Sequence, residues 1–578
     1  MRYVALATDF DGTLAQDGRV DAPTIEALKR LAASGRTLVL VTGRELDDLR
    51  RVFDATSLFD RLVVENGAVL HRPSTGETRV IGAPPPPRFV DELERRGVTP
   101  LSVGASVVAT WHPNEQTVLE VIRELGLELQ VIFNKGAVMV LPAGTNKASG
   151  MAEALEDLGL SAHNLAAIGD AENDHALLDL AECSAAVANA VPMLKAKADL
   201  IMRGDHGAGV IELIDRLIDG DLRDVTTRRE ERLLVLGTRA DGRRLQVPPA
   251  GLNILISGTS GSGKSTFATG LLERLMTRRY QCCVIDPEGD YDQLGEAIPF
   301  GSPQNRPEIS AIFTALEQPA TSVLVNLLGV KLEDRPAFFA SLLLRLHETR
   351  ARTGRPHWIL VDEAHHLLPA DWQPAPQLMT DGMTSMIFVT VHPEQLAATL
   401  LPRMDIVVAV GDAPEKRIAQ VAAASGEVLA FDGPVTLESG EALAWLRHSG
   451  EPPFRLRAER SAGERRRHLR KYAEGELGPD RSFYFRGPDG KLNLRAQNLV
   501  LFMQLGDGVD DATWQHHLAR GDYSRWIRGS IKDDDLAHEV QAVEAVAGSL
   551  DPVASRRQVR EAIDKRYTLP ASGATKNE

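Results

Sequence analysis

Two carboxylates stand two residues apart directly after the first apolar run of the chain. Residues 3–8 predict a buried strand, and Asp9 and Asp11 follow it. A carboxylate at the carboxyl end of a strand can attack phosphorus and form an aspartyl-phosphate. A second carboxylate beside it can protonate the leaving oxygen and later activate water. The spacing therefore predicts phosphoryl chemistry, with Asp9 as the nucleophile and Asp11 as the general acid and base.

Three later segments supply the other groups that such a site needs. The hydroxyl of Thr42, after the strand predicted over 37–41, can donate a hydrogen bond to a phosphoryl oxygen. The ammonium of Lys147 can neutralise both Asp9 and the phosphate. Residues 169–174 follow another apolar run and offer the oxygen ligands that Mg²⁺ prefers. The predicted Mg²⁺ ligands of this site are Asp9, Asp11, Asp170, Asn173 and Asp174.

These motifs, in this order, resemble the haloacid dehalogenase (HAD) superfamily over residues 1–219. They resemble more narrowly its sugar-phosphatase-like branch, which carries a large cap between the second and third motifs. The resemblance implies Mg²⁺-dependent hydrolysis of phosphomonoesters. A change of texture at about 70–140, broken by prolines at 84–87, predicts the inserted cap. The cap normally selects the substrate. Trp111 and His112 are candidates for substrate contact, with packing as the alternative.

A second phosphate-binding pattern lies at residues 258–266, between a strand predicted over 253–257 and a helical pattern. Glycines there let backbone N–H groups cradle phosphates at the helix N-terminus. Lys264 can reach the β- and γ-phosphates, and Ser265 can bind Mg²⁺. The predicted nucleotide-binding residues are Gly258, Ser260, Gly261, Gly263, Lys264, Ser265 and Thr266. The pattern predicts a P-loop that binds ATP.

An Asp–Glu pair follows a later apolar run. Asp362 can hold Mg²⁺ through water, and Glu363 can polarise the water that attacks the γ-phosphate. Thr390 or His392, at the end of the strand predicted over 386–390, could sense the γ-phosphate. Together with the P-loop, these residues predict ATP hydrolysis.

The P-loop, the Asp–Glu pair and the segments at 286–291 and 390–396 resemble the HerA/FtsK/VirB4 class of RecA-like ATPases over 233–450. The resemblance implies a homo-oligomer, usually a hexameric ring, that moves DNA or protein. It also implies an arginine finger from a neighbouring subunit. Arg403 and Arg417 are the candidates, and an exposed helical arginine is the alternative. Where the class commonly carries a glutamine sensor, this chain has His392.

The elements that position these groups follow an α/β rhythm, in which helical patterns separate short apolar runs. Such a rhythm predicts parallel sheets whose carboxyl ends gather the chemistry. The predicted fold is a HAD Rossmann-like domain with an inserted α+β cap (1–219), a linker (220–232), a RecA-like P-loop domain (233–450) and a basic linker with a small, mostly helical C-terminal domain (451–578).

The basic run from Arg455 to Lys471 is either a nucleic-acid contact or a solvated linker. His516 and His517 are adjacent, so they point differently on a helix and make a poor metal pair; we expect the nearby aromatics to form a core.

Composition narrows the class of protein. The 578 residues, 43% hydrophobic and 25% charged, exclude wholesale disorder and a fibrous chain. No apolar run approaches the roughly 20 residues of a membrane span. Three cysteines favour a reducing compartment, and we expect a cytoplasmic protein. A net charge of −15 argues against a surface coated for non-specific nucleic-acid binding, although not against a local basic channel.

Three functions fit these patterns. The favoured one is a bifunctional Mg²⁺-dependent phosphomonoester hydrolase and ATPase. In it an oligomeric motor acts on nucleic acid or protein, and the phosphatase acts on a phosphorylated small molecule or a nucleic-acid end. The second is a kinase–phosphatase pair, against which Glu363 stands, because a kinase needs no water-activating glutamate. The third is a nucleotide-regulated assembly in which the HAD domain is the effector.

Overall fold

The protein forms two compact units, residues 1–459 and 460–578. This computed structural model describes residues 1–134, 136–225, 230–291, 294–370, 383–459, 477, 482–490, 492–531, 533–548 and 550–567. The basic run predicted from the sequence lies outside the described residues from Arg460 onward, whereas Arg455 and Arg457 lie on a described strand. In the described part of the chain, no helix has the length and apolarity needed to cross a membrane.

The first sheet has eight strands in the order β12-β11-β10-β1-β2-β3-β4-β5. Its strands, numbered along the chain, are β1 (Ala5–Asp9), β2 (Thr37–Val41), β3 (Arg61–Val64), β4 (Val69–Arg72), β5 (Glu77–Val80), β10 (Leu165–Gly169), β11 (Cys183–Ala186) and β12 (Leu200–Ile201). The helices of this region are α1 (Ala22–Ala33), α2 (Leu46–Val52), α5 (Lys147–Leu158), α6 (His175–Leu180), α7 (Pro192–Lys197) and α8 (His206–Gly220). The six strands from β12 to β3 are parallel, and the central strands are apolar because helices cover both faces.

A separate four-stranded antiparallel sheet forms the inserted cap, in the order β6-β7-β9-β8. Its elements are α3 (Pro87–Arg95), β6 (Ser102–Val103), β7 (Val108–Trp111), α4 (Glu115–Glu124), β8 (Leu129–Asn134) and β9 (Ala137–Pro142). It has its own apolar core between the helices and one face of the sheet. The cap was predicted from about residue 70, but β4 and β5 continue the first sheet as antiparallel strands beside β3. The cap sheet itself begins at Ser102.

The other large sheet of the unit 1–459 contains the P-loop strand and has eleven strands, in the order β14-β13-β23-β22-β21-β15-β20-β19-β16-β18-β17. Its strands are β13 (Leu234–Arg239), β14 (Arg244–Val247), β15 (Ile254–Gly258), β16 (Cys282–Asp286), β17 (Ala297–Phe300), β18 (Ser322–Asn326), β19 (Trp358–Val361), β20 (Met386–Thr390), β21 (Ile406–Val410), β22 (Glu441–Leu446) and β23 (Phe454–Ala458). Its helices are α9 (Lys264–Thr277), α10 (Ile309–Leu316), α11 (Arg335–Thr353), α12 (Ala364–Leu367) and α13 (Pro414–Ala424). The seven strands from β21 to β17 are parallel, and β22, β23, β13 and β14 add an antiparallel edge.

The two large sheets meet through the amino ends of their strands. His163 and Glu182 precede β10 and β11, and Tyr280 precedes β16. The rings of His163 and Tyr280 stack with centroids 3.6 Å apart, and the Tyr280 hydroxyl donates to Glu182 Oε1 at 3.0 Å. His357, before β19, lies with Nε2 3.1 Å from Asn164 Oδ1. The predicted catalytic groups follow the opposite, carboxyl ends of both sheets, so the two candidate sites lie away from this interface.

The second unit is mostly helical, as predicted. It contains β24 (Phe483–Phe485), β25 (Leu494–Ala496), α14 (Leu499–Gly508), α15 (Asp511–Ala519), α16 (Asp522–Trp526), α17 (Asp534–Ala545) and α18 (Pro552–Tyr567). Its core is rich in aromatic rings, including Phe483, Phe502 and Trp514. His517 belongs to this core, because its Nε2 accepts from the backbone N–H of Arg486 at 3.1 Å and its Nδ1 lies 2.8 Å from Asp522.

Candidate active sites

The carboxyl ends of β1 and β10 bring three aspartates together. Asp9 ends β1, Asp170 follows β10, and Asp174 lies in the turn after it. One oxygen of each carboxylate lies within 4.8 Å of the others, and all three side chains are buried. Lys147, at the start of α5, donates from Nζ to Asp9 Oδ1 and to Asp174 Oδ1, both at 2.6 Å. The structure therefore unites residues that are up to 165 positions apart, because β1 and β10 are neighbours in the sheet.

This cluster carries more negative than positive charge. Burial, followed by the carboxylate of Asp174, raises the pKa of Asp9 well above its usual value. Burial opposes the charge of Lys147, but Asp174 and Asp9 outweigh it and raise the pKa of the ammonium. One ammonium among three carboxylates leaves room for a hard cation with oxygen ligands. The buried Oδ1 of Asn173, which has no hydrogen-bond partner among the described residues, fits the same requirement.

Three other residues were predicted for this site, namely Thr42, Asn173 and Asp11, and the structure shows where each of them lies. Thr42 is buried one residue beyond β2, where it lies beside the end of β1. Asn173 donates from Nδ2 to Asn66 Oδ1 at 3.2 Å. The Asp11 carboxylate lies outside the acidic cluster and accepts from Arg44 Nε and Nη2, both at 2.7 Å. The structure thus pairs the predicted acid and base with an arginine that the sequence analysis did not assign.

The P-loop joins β15 to α9. Gly261 and Gly263 have φ of 72° and 101°, values that favour glycine, and α9 begins directly after them at Lys264. Lys264 folds back over the loop and donates from Nζ to the Thr259 carbonyl at 3.2 Å. The loop and the N-terminus of α9 therefore have the geometry that binds phosphates. Gly258 ends β15, Ser260 lies on the loop, and Ser265 and Thr266 lie in the first turn of α9.

An acidic group faces the P-loop from neighbouring strands. Asp362 and Glu363 follow β19, and Ser265 Oγ donates to Asp290 Oδ2 at 2.9 Å. Burial, with the charges of Glu363 and Asp286, raises the pKa of Asp362 to about 8. The Asp362 Oδ1 atom is buried and has no hydrogen-bond partner among the described residues. The hydroxyl of Ser265 and the orphaned oxygen of Asp362 fit the hard oxygen ligands that Mg²⁺ takes.

Two family models match the chain. Haloacid dehalogenase-like hydrolases match residues 6–81 and 114–214, and an AAA ATPase domain matches residues 226–390. A phosphoglycolate phosphatase of Methanothermobacter thermautotrophicus is 30% identical over 228 residues, which are 37% of this chain and 98% of that protein. The chain belongs to the haloacid dehalogenase-like hydrolase family. Its second matched region makes this hydrolase bifunctional, because an ATPase domain follows the phosphatase domain.

Two further proteins match a similar share of this hydrolase. A phosphoglycolate phosphatase of Halorubrum lacusprofundi is 30% identical over 236 residues, covering 39% of this chain and 98% of that protein. A crystal structure of a haloacid dehalogenase-like hydrolase from Bacteroides thetaiotaomicron is 20% identical, with a TM-score of 0.33. It covers 37% of this chain and 99% of its own. These matches cover 37–39% of the chain, and the AAA ATPase model matches residues 226–390.

One residue that the sequence analysis left without a role connects the hydrolase core to its cap. Glu65, at the end of β3, is buried and accepts from the backbone N–H groups of Ala105, Ser106 and Val107 at 2.9–3.0 Å. A Cβ at Gly104 would lie 2.7 Å from this carboxylate. The only sequence signal for this anchor is weak, a Glu-Asn-Gly turn after an apolar run. The acceptor is recognised only when the cap loop is seen against it.

Replacing Glu65 by Gln is expected to loosen the cap. The amide nitrogen would face backbone donors, and charge-assisted hydrogen bonds would be lost, at a cost of about 2–4 kcal/mol. We expect KM for the phosphomonoester to rise about tenfold and hydrogen exchange at residues 105–107 to become faster. Steady-state kinetics and exchange mass spectrometry measure both. Glu77→Gln, on the exposed strand β5, is the control, and equal behaviour of the two variants would contradict the anchor.

Trp111 and His112 are both exposed on the cap, and Trp111 has 53% of its surface accessible. Trp111 pairs with Ala137, so it shares a face of the cap sheet with Met139. The Met139 Sδ lies 2.7 Å from Asn66 Nδ2, beside the acidic cluster. His112 is exposed, and its Nδ1 lies 2.8 Å from Glu115. Substrate contact by Trp111 therefore stays a prediction, whereas His112 is paired with Glu115 on the cap surface.

The two arginine-finger candidates lie at opposite ends of β21, a strand inside the P-loop sheet. Arg417 is on α13, which follows the carboxyl end of β21, and its Nη1 donates to the Asp412 carbonyl. Arg403 precedes the amino end of β21, and its carbonyl accepts from Asn253 Nδ2 at 3.1 Å. A finger acts on a neighbouring subunit, so the assignment stays a prediction for both residues.

Proposed function

We propose that the hydrolase domain cleaves small anionic phosphomonoesters of the phosphoglycolate type with Mg²⁺ bound at the Asp9 cluster. The observation that carries this proposal is the buried set of three carboxylates joined by Lys147. The names of the relatives support the substrate class. The sugar-phosphatase-like branch predicted from the sequence remains an alternative for the substrate.

In the proposed reaction, Asp9 attacks phosphorus and the bond from phosphorus to the leaving oxygen breaks, giving an aspartyl-phosphate. Asp11, oriented by Arg44, gives a proton to the leaving oxygen and then takes one from the water that hydrolyses the intermediate. Lys147 and the hydroxyl of Thr42 stabilise the charge on the transferred phosphoryl group. Mg²⁺, held by Asp9 and Asp170 with help from Asp174 and Asn173, would supply electrostatic stabilisation of that group.

The substrate class is tested by phosphate release from a panel of compounds. Phosphoglycolate, several sugar phosphates, nucleotides and a 5′-phosphorylated oligonucleotide are each given to the full chain with Mg²⁺ and with EDTA. We expect the highest kcat/KM for phosphoglycolate and no release in EDTA. A clear preference for a sugar phosphate or the oligonucleotide would replace the proposed substrate and leave the phosphatase mechanism intact.

We further propose that the P-loop region hydrolyses ATP as an oligomeric motor of the HerA/FtsK/VirB4 kind, acting on nucleic acid or protein. The supporting observation is that β20 lies between the P-loop strand β15 and the Asp–Glu strand β19. This order places Thr390 between the nucleotide site and Glu363. Phosphate release from ATP with and without single- and double-stranded DNA tests the proposal, with Lys264→Ala as the control. Strong stimulation by DNA would support a nucleic-acid motor, and its absence would direct attention to a protein substrate.

A nucleotide-regulated assembly is the second candidate, and one contact favours it. Helix α9 begins at the P-loop lysine and is followed by Arg278. The carbonyl of Arg278 lies 2.7 Å from Nε2 of His163, a residue of the hydrolase domain. A shift of α9 on nucleotide binding would therefore reach the segment that leads into β10 and Asp170. If ATP changes the oligomeric state and the phosphatase rate while ATP turnover stays slow, this second function gains support.

A further inference from the structure

Two histidines follow the catalytic glutamate of the P-loop site, and they lie in different surroundings. His365 is buried, with 8% of its surface exposed, whereas the adjacent His366 is exposed. The Nδ1 atom of His365 lies 3.0 Å from Thr390 Oγ1 and 3.4 Å from Glu363 Oε2. One ring nitrogen thus faces both the catalytic glutamate and the end of β20.

When the ring proton is on Nδ1, this nitrogen cannot donate well to both oxygens beside it. Thr390 Oγ1 already accepts from the backbone N–H of His392 at 3.0 Å. The Glu363 Oε2 atom is buried and accepts no hydrogen bond among the described residues. Burial, followed by the nearby His366 and His392, lowers the pKa of His365 to about 4, so the ring is neutral and carries one N–H. A single Nδ1 proton can bond Thr390 or Glu363, but not both well.

The backbone at Glu363 points to a functional arrangement. Glu363 has φ of 39°, in the left-handed region that a non-glycine residue adopts at a cost. The charge of Lys264 acts on the Glu363 carboxylate, so this side chain lies near the P-loop lysine. A base that must hold a water in line with phosphorus needs its free oxygen oriented, because small misplacements are costly in rate. The Nδ1 atom of His365 lies 3.4 Å from that oxygen.

We propose that His365 and Thr390 form the positioning pair for Glu363. In the structure described here the Nδ1 atom lies closer to Thr390. When the γ-phosphate engages the end of β20, at Thr390 and His392, the His365 N–H transfers its hydrogen bond from Thr390 to Glu363 Oε2. Glu363 is then oriented toward the attacking water. The inference rests on the proposed hydrolysis of ATP at this site and deepens it by naming the residues that link nucleotide sensing to the catalytic base.

Two substitutions test the pair, each with a matched control. Thr390→Val keeps the shape and removes the hydroxyl, while Thr390→Ser keeps the hydroxyl. His365→Phe removes both ring nitrogens, while His365→Asn keeps an N–H donor near the position of Nδ1. His366→Asn alters the adjacent exposed ring, which has no place in the proposed machinery. All variants are made in the full chain.

We expect Thr390→Val and His365→Phe to lower kcat for ATP about 10- to 100-fold. KM and the affinity for a fluorescent ATP analogue are expected to stay within about twofold, because positioning acts on the chemical step. Thr390→Ser and His365→Asn should recover most of the turnover, and His366→Asn should match the wild-type chain. Thermal midpoints establish that each variant is folded.

The outcomes separate this inference from the function on which it rests. If the wild-type chain turns over ATP and Lys264→Ala does not, the proposed hydrolysis stands. In that case an unchanged kcat in Thr390→Val and His365→Phe would overturn the positioning pair alone. A loss confined to nucleotide affinity or to the thermal midpoint would do the same, because it indicates a structural role. If the wild-type chain releases no phosphate from ATP, the proposed hydrolysis fails and the positioning role fails with it.

Discussion

Replacing Asp9 by Asn is expected to lower phosphatase turnover by about 10⁴-fold or more, because removal of a covalent nucleophile removes the reaction path itself. An amide oxygen is too weak a nucleophile to form the phosphoenzyme, and the amide group also removes one carboxylate from the proposed Mg²⁺ site. The ATPase rate of the same variant should stay at the wild-type level. The P-loop site follows the carboxyl ends of the eleven-stranded sheet. It lies on the far side of the interface between the hydrolase domain and the ATPase domain. Phosphate release from a phosphomonoester and from ATP measures the two activities separately.

A matched control keeps this result specific. Asp47→Asn makes the same chemical change on the exposed face of α2 and should leave both activities unchanged. Lys264→Ala should give the opposite pattern, with the phosphatase retained and ATP hydrolysis lost. Residual phosphatase activity in Asp9→Asn above a few per cent would show that another residue acts as the nucleophile. A parallel loss of ATP hydrolysis would instead show that the two sites depend on each other.

Replacing Glu182 by Gln is expected to give the largest loss of stability. Glu182 is buried at the interface between the two domains and lies 2.9 Å from His163 Nδ1 and 3.2 Å from Arg2 Nη2. Burial alone would raise the pKa of Glu182, but the hydrogen bond from His163 and the charges of Arg2 and Arg232 lower it to about 2. The variant would leave the cations buried without their carboxylate, at a cost of about 3–5 kcal/mol.

The same residue gives the interface a defined response to acid. The folded-state pKa lies below that of the unfolded chain, so the stabilisation is complete above about pH 4.5 and is lost as the pH falls toward 2. The difference between the pKa of Glu182 in the folded and unfolded chain corresponds to about 3 kcal/mol of folding stability. Thermal midpoints of the wild-type chain should therefore fall between pH 5 and pH 3 more steeply than those of Glu182→Gln. Glu156→Gln, exposed on α5, is the control, and parallel acid profiles for wild type and Glu182→Gln would refute the role.

The geometry at His163 supports this account of the interface. Its Nδ1 faces the Glu182 carboxylate and its Nε2 faces the Arg278 carbonyl at 2.7 Å. Both partners are oxygen atoms, and they lie at the two ring nitrogens of this histidine. Its ring also stacks on Tyr280. Charged and aromatic groups thus join the amino ends of the two sheets.

The sequence by itself determined the parts that are local along the chain. The strand predicted over 253–257 and the glycines after it specify a P-loop, because strand, turn and helix are contiguous and each element has its own signal. Asp9 and Lys147 were predicted as partners on chemical grounds, and in the structure Lys147 Nζ lies 2.6 Å from Asp9 Oδ1. The parallel α/β class followed from the alternation of apolar runs and helical patterns.

Only the tertiary structure decided which distant groups meet. It turns Asp11 toward Arg44, attaches the cap loop to Glu65, and sets His365 between Thr390 and Glu363. It also extends the first sheet with β4 and β5, where the sequence predicted the beginning of the cap. Each of these outcomes depends on strand order or on a contact between segments far apart in sequence. Local propensity and residue type carry no information about such neighbours, because the energy that selects them arises only when the sheets are assembled and packed.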